Sequence, residues 1–153
     1  MAIDEFRGEY RFLSNFWICS RGIKFEGDLY RSVEHAYQAA KTRVPEERQK
    51  IRACSTSGAA KKAGYRVTLR DDWEDVKLRI MHKLVFAKFY GDERLEKRLL
   101  ETGKHNLVEG NWWGDTYWGV CQGKGENHLG KILMEARKRL KKLAKKAPEK
   151  IDL

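Results

Sequence analysis

Long apolar runs are missing from this chain. No stretch approaches the ~20 residues needed to span a bilayer, so no membrane partner is expected. Cysteine is scarce as well: Cys19, Cys54 and Cys121 are odd in number and widely spaced. That excludes a disulfide framework and a zinc-type spacing, and points to a reducing, cytoplasmic setting. The four histidines, His35, His82, His105 and His128, show no ligand-type pairing, so no metal is expected. A dinucleotide-binding glycine fingerprint is absent, which leaves no cofactor implied. Residues 1 to 11 carry no apolar core of a secretory signal. Neither an internal repeat nor an interdomain linker divides the sequence.

What remains suits one folded domain. The chain has 153 residues, of which 41% are hydrophobic and 35% charged. Its formal charge of +10 is uneven, because residues 137 to 150 hold eight basic side chains against one acid. We therefore divide the chain into a domain over 1–143 and a basic tail over 144–153. Such a tail can attract nucleic acid non-specifically. It equally suits a solvated helix end that complements the helix dipole, and no aromatic residue interleaves with its charges.

Local signals predict an α+β fold: a single mostly helical domain with a few short strands. Phe16-Trp17-Ile18 and Gly22-Ile23-Lys24-Phe25 are β-prone, and Glu26-Gly27-Asp28 supplies turn chemistry before Leu29-Tyr30. Ser32 reads as the cap of a helix over about 33 to 42 that stops before Pro45. Pro45 opens a second helix, and Ser57 is the expected cap of a third that stops at Gly64. Asp72 begins the longest central helix, with Trp73, Val76, Ile80, Leu84 and Ala87 on its buried face. Asp92 caps the next, with Leu95, Leu99 and Leu100 inside. Residues 106 to 109 suit a short strand, and residues 110 to 127 a long loop. A final amphipathic helix carries Leu129, Ile132, Leu133, Ala136, Leu140 and Leu143.

Two places could hold chemistry. The loop after Glu109 contains Trp112, Trp113, Tyr117 and Trp118 among glycines. Glycines let backbone approach a ligand, and aromatic faces stack on flat rings. An aromatic plug closing the core explains the same composition. In the helix after Ser32, Glu34, Gln38 and Lys41 share one face by their spacing, which is also what an ordinary wet stripe looks like. Lys88 falls on an apolar helix face, either snorkelling at its edge or buried with a tuned pKa. Trp73 is most simply a core anchor, and Asp115 is either a turn residue or an acid.

These segments resemble the NADAR, or YbiA-like, family from about Glu9 to about Leu140. The resemblance is carried by Tyr10-Arg11-Phe12-Leu13-Ser14-Asn15-Phe16, by Ser32-Val33-Glu34-His35-Ala36-Tyr37-Gln38-Ala39-Ala40-Lys41 and by Asp72-Trp73-Glu74. Further matches are Leu107-Val108-Glu109, Asp115-Thr116-Tyr117-Trp118-Gly119 and Gly125-Glu126-Asn127-His128-Leu129. It implies a metal-independent N-glycosidase. The family's activities address either ribosylamino-pyrimidine phosphates of early riboflavin synthesis or ADP-ribosylated guanine. The resemblance implies catalytic roles for Glu34, Asp115 and Lys41. It implies substrate-binding roles for Asn15, Gln38, Trp73, Lys88, Trp118, Gly119 and Asn127. Expected partners are a nucleotide or ADP-ribosyl substrate, with nucleic acid a candidate for the tail. A phosphate would sit on Lys41, Lys88 and the start of the last helix. The competing reading is a non-catalytic module that binds ADP-ribose or nucleic acid. A binder of phosphates gains little from acids in its pocket, whereas a glycosidase needs at least one.

Overall fold

A computed structural model describes residues 1–146. The chain folds as α1 (Val33–Ala40), α2 (Pro45–Arg52), α3 (Ser57–Gly64), α4 (Trp73–Tyr90), α5 (Glu93–Glu101) and α6 (His128–Lys146). Short strands punctuate them: β1 (Ala2–Ile3), β2 (Ile23–Phe25), β3 (Asp28–Tyr30), β4 (Asn106–Leu107), β5 (Gly110–Asn111) and β6 (Val120–Cys121). This is the expected α+β fold, mostly helical.

The organising element is α1. Eight residues are too few for an isolated helix to persist in water. Here every one of them is buried, because α1 packs against α2, α3 and α4 at once. Its polar members, Glu34, His35 and Gln38, are therefore enclosed, and the stripe is not a wet face. The Ser32 hydroxyl caps α1 by accepting the His35 N–H at 3.1 Å. It also meets His35 Nδ1 at 2.7 Å, while His35 Nε2 lies 2.9 Å from the Cys54 carbonyl. A carbonyl only accepts, so Nε2 carries the proton and Nδ1 receives one from Ser32. Burial lowers the His35 pKa, in keeping with a neutral, structural histidine.

α4 is the second scaffold and packs against α1, α5 and α6. Trp73, Val76, Ile80 and Leu84 are buried as the periodicity predicts, and Ala87 is half-buried while Lys88 goes fully inside. α5 starts as expected on Asp92, whose carboxylate accepts from Arg94 N and Leu95 N. Each fully buried Leu, Ile or Phe along these faces contributes about 1.5–3 kcal/mol.

Several local expectations need correction. Phe16-Trp17-Ile18 forms no strand; Trp17 N–H turns back to the Ser14 carbonyl at 3.1 Å, and Phe16 and Ile18 are exposed. α1 ends at Ala40 rather than 42. Thr56 caps α3, accepting from Ala59 N–H at 3.0 Å, and frees the Ser57 hydroxyl to donate to the Phe16 carbonyl at 2.8 Å while lying 3.0 Å from the Ser32 hydroxyl. Asp72 precedes α4 without capping it, because Arg70 and Arg43 hold its carboxylate. The segment 110–127 is partly ordered as a parallel pair, Gly110 with Val120 and Asn111 with Cys121. β1 pairs in parallel with β4, Ala2 with Asn106 and Ile3 with Leu107, which tethers the N-terminus across the sequence. α6 runs through Lys146, so the first residues of the basic tail are helical, and residues 147–153 of the tail lie outside the described residues.

Candidate active site

A cavity of about 400 Å³ opens where α1, α3 and the 109–118 segment meet. That is within the usual range for a small-molecule site. Six of the residues proposed from sequence line it: Asn15, Glu34, Gln38, Lys41, Asp115 and Trp118. Spacing along one helix put Glu34, Gln38 and Lys41 together, and the chain brings Asp115 and Trp118 to them from about eighty residues away.

Glu34 is fixed by its neighbours. Its N–H donates to the Asn15 carbonyl at 3.0 Å, and its Oε1 accepts from Gln38 Nε2 at 2.7 Å. α3 crosses directly over this pair at Gly64, where a Cβ would fall 1.8 Å from Gln38 Oε1. Only glycine permits that approach. Burial raises the Glu34 pKa, opposed by the Gln38 hydrogen bond and by the Lys61 and Lys41 ammonium groups. Lys41 lies 5.6 Å from the Tyr37 ring centre and 5.9 Å from that of Tyr65. Its pKa is lowered, chiefly by burial.

Asp115 is both a turn residue and a cavity residue. Its Oδ1 accepts from Trp118 N–H at 2.9 Å and Tyr117 N–H at 3.1 Å, which curls the segment and turns the Trp118 ring inward. Asn111 locks the same turn, donating to the Asp115 carbonyl at 2.8 Å and accepting its N–H at 3.0 Å. Trp118 then meets Tyr37 edge-on with ring centres 5.6 Å apart.

The other four proposed residues do not reach the cavity wall. Trp73 is 5% exposed and packs behind Tyr37 at 5.1 Å, so it supports a wall without being one. Lys88 is 3% exposed and donates to the Phe12 carbonyl at 2.5 Å and the Ser14 carbonyl at 2.9 Å. It anchors the segment that carries Asn15, and its ammonium is spent on those carbonyls instead of a phosphate. Asn127 sits at φ 54° and its amide grips the 107–109 segment, accepting Glu109 N–H at 3.0 Å and donating to the Leu107 carbonyl at 3.0 Å. Gly119 lets the loop pass Glu109, since a Cβ there would lie 2.1 Å from the Glu109 carbonyl oxygen. The start of α6 is not free for a phosphate either. The His128 and Leu129 N–H groups donate to the Tyr117 and Trp118 carbonyls at 3.1 and 2.9 Å.

Residues 4–141 match the family described as the NADAR domain. The chain belongs to the NADAR family. Among its relatives, N-glycosidase YbiA of Shigella flexneri is 38% identical over 135 residues, covering 86% of this chain and 82% of that protein. The Vibrio vulnificus riboflavin biosynthesis protein VVA0006 is 35% identical over 136 residues, covering 87% of this chain and 36% of the relative. The NMR structure of the E. coli protein YbiA superimposes with a TM-score of 0.84 at 33% identity, covering 99% of this chain and 90% of that one. By family membership the chain is an N-glycosyl hydrolase.

The NADAR cavity also contains residues to which the sequence assigned no individual role. Tyr37, Lys61, Tyr65, Trp113 and Glu109 all line it. By helical spacing Tyr37 falls away from the Glu34, Gln38 and Lys41 stripe, a distinction that vanishes once the helix is buried all round. Lys61 and Tyr65 come from α3 and its end, which carry no motif. Glu109 sat in a recognised segment, but nothing in Leu107-Val108-Glu109 distinguishes a strand end from a functional carboxyl. Burial raises its pKa to about 8, and the nearby Asp115 and Glu34 carboxyls push in the same direction. Among the described residues, no cluster of His, Cys, Asp or Glu could hold a metal ion, and no helix is long and apolar enough to cross a membrane.

Proposed function

We propose that this N-glycosidase cleaves the bond between ribose C1′ and a base nitrogen in a nucleotide-derived substrate, at the cavity around Glu34. The candidate substrates are a ribosylamino-pyrimidine phosphate and an ADP-ribosylated guanine. The observation that carries the reading is Glu34 itself: a carboxylate 7% exposed, lining a cavity, held by one amide donor and faced by two lysines. Breaking an N-glycosidic bond builds positive charge on the ribose ring. A fixed carboxylate stabilises that charge in a dry site and can take a proton from the attacking water. Trp118 and Tyr37 supply aromatic wall for a base or ribose, and Lys41 and Lys61 supply charge for phosphate. Asp115 Oδ1 is committed to the turn, leaving Oδ2 to orient sugar hydroxyls.

Lys41 supports a second chemical route through the same cavity. Burial enriches its neutral amine, which can add to the aldehyde of an opened ribose and form a Schiff base. Borohydride trapping of a sugar on Lys41 tests that route. The test of the function is one incubation of purified protein with both substrate types, read by mass spectrometry for free base and sugar phosphate. Release from either supports the proposal and selects the substrate class. Tight ADP-ribose binding with no cleavage of either would replace it with the binding-module reading.

A further inference from the structure

We infer that Glu109 is the general acid of this glycosidase, delivering the proton that the departing nitrogen needs. The inference rests on the glycosidase reading above and assigns the half of the reaction that Glu34 does not perform.

The placement is built. Glu109 follows β4, and both ends of its peptide are fastened: its N–H goes to Asn127 Oδ1 at 3.0 Å, and its carbonyl accepts Val120 N–H at 2.9 Å. Gly119 lies directly over the carboxyl, where a Cβ would come within 2.5 Å of Oε2. The side chain is thereby confined to the cavity wall. Yet its Oε2 is enclosed and has no hydrogen-bond partner among the described residues. An ionised oxygen in that position would be desolvated without a donor, which is costly. That enclosed, donor-less oxygen disfavours ionisation and keeps the carboxyl protonated, and since Glu109 lines the cavity, its other oxygen is the one placed to carry the proton toward a substrate.

The charges facing Glu109 divide the labour. Asp115 and Glu34 are the acids that face it, and Lys61 is the cation; Lys41 lies across the same cavity. Glu34 receives the Gln38 N–H and faces both Lys61 and Lys41, whereas Glu109 receives no donor. When carboxyls share a site, the proton resides on the one with fewer donors, and the set titrates together. Burial and the neighbouring acids hold the Glu109 pKa at about 8, so it is mostly protonated at neutral pH.

The C1′–N electron pair leaves with the nitrogen, which takes the Glu109 proton. Water oxygen bonds to C1′ and its proton passes to Glu34. After release of the base and the sugar, the Glu34 proton leaves and solvent restores the Glu109 proton. The net change is addition of one water across the glycosidic bond.

The test compares two leaving groups. An amine leaving group, as in a ribosylamino-pyrimidine phosphate, needs protonation; the nitrophenolate of a para-nitrophenyl ribose phosphate does not. For Glu109→Gln, kcat on the amine substrate should fall about 10²–10⁴-fold with KM little changed. On the nitrophenyl probe the loss should stay below about tenfold. Wild-type kcat/KM on the amine substrate should fall above a pH of about 8 as Glu109 loses its proton, and that limb should vanish in Glu109→Gln. Lys88 also has a pKa of about 8, but a limb due to Lys88 would persist in the variant.

Glu109→Gln within about threefold of wild type on the amine substrate overturns the assignment, as do equal losses on both probes or an alkaline limb that survives the substitution. Should the wild type not turn over the nitrophenyl probe, the limb alone decides. Should Glu109→Gln fail to fold by its melting curve, Glu109→Asp replaces it, with reduced kcat and a retained limb expected and unchanged kcat overturning the idea. A wild type inert on both ribosides and on ADP-ribosylated guanine defeats the glycosidase reading itself, whereas one active only on ADP-ribosylated guanine moves the same Glu109→Gln comparison to that substrate. An active wild type with an indifferent Glu109 variant defeats this proposal alone.

Discussion

Replacing Lys88 by methionine should destabilise the protein far more in alkaline than in neutral solution. Lys88 is 3% exposed, and burial lowers its pKa from the ordinary 10.5 to about 8. Between those two values the unfolded chain binds more protons at this residue than the folded one, so the Lys88 contribution to stability rises with pH. Integrating the two titrations from pH 7 to a pH of about 9.5 gives a gain of about 2 kcal/mol in the wild type, which methionine cannot show. At pH 7 the variant loses the donors to the Phe12 and Ser14 carbonyls, each worth about 1–3 kcal/mol when left unpaired. It also escapes the cost of burying a charge, about 3 kcal/mol from the same pKa difference, so the two nearly cancel. The assay is urea unfolding of both proteins at the two pH values. Glu109 titrates in the same window with the opposite sign: its raised pKa means stability lost as pH climbs through about 8. That contribution is common to both proteins and drops out of the difference. A gap between wild type and Lys88→Met that stays constant from pH 7 upward would refute the claim that Lys88 titrates low in the fold.

Three other outcomes follow from the site. Glu34→Gln should lower kcat by about 10²–10⁴-fold while leaving the melting temperature and substrate binding nearly unchanged, and near-wild-type turnover would remove Glu34 from its role. Trp118→Ala should weaken ADP-ribose binding roughly 5- to 150-fold, from ~1–3 kcal/mol of lost stacking; unchanged affinity with a collapsed melting temperature would make Trp118 purely a packing residue. Deletion of residues 144–153 should leave cleavage of a small ribosyl nucleotide intact and flatten the salt dependence of any nucleic-acid binding, since fewer phosphates are contacted. A folded truncation that no longer cleaves the small substrate would place the tail in the site.

Much of this protein is determined locally and is therefore legible in the sequence. Pro45 opens α2, Asp92 caps α5, and the three-to-four spacing of Trp73, Val76, Ile80 and Leu84 sets the inner face of α4. These signals depend on neighbours within one or two turns of chain, so propensity and periodicity suffice to read them. The same holds for Glu34, Gln38 and Lys41, which helical geometry puts on one face before anything packs on them. What that face meets is another matter. Only α3 crossing at Gly64 and the 109–118 segment folding back convert it from a wet stripe into a cavity wall. Lys88 and Trp73 show the same dependence. Their positions on α4 were evident, but that one donates to backbone carbonyls and the other backs Tyr37 follows from contacts across distant segments. Glu109 is the clearest case, because a carboxyl acquires an unusual pKa from enclosure and from other acids, not from the residues beside it in sequence. Desolvation and charge coupling act through space over a few ångströms, and here that proximity is created by tertiary structure between residues as far apart in the chain as Glu34, Glu109 and Asp115.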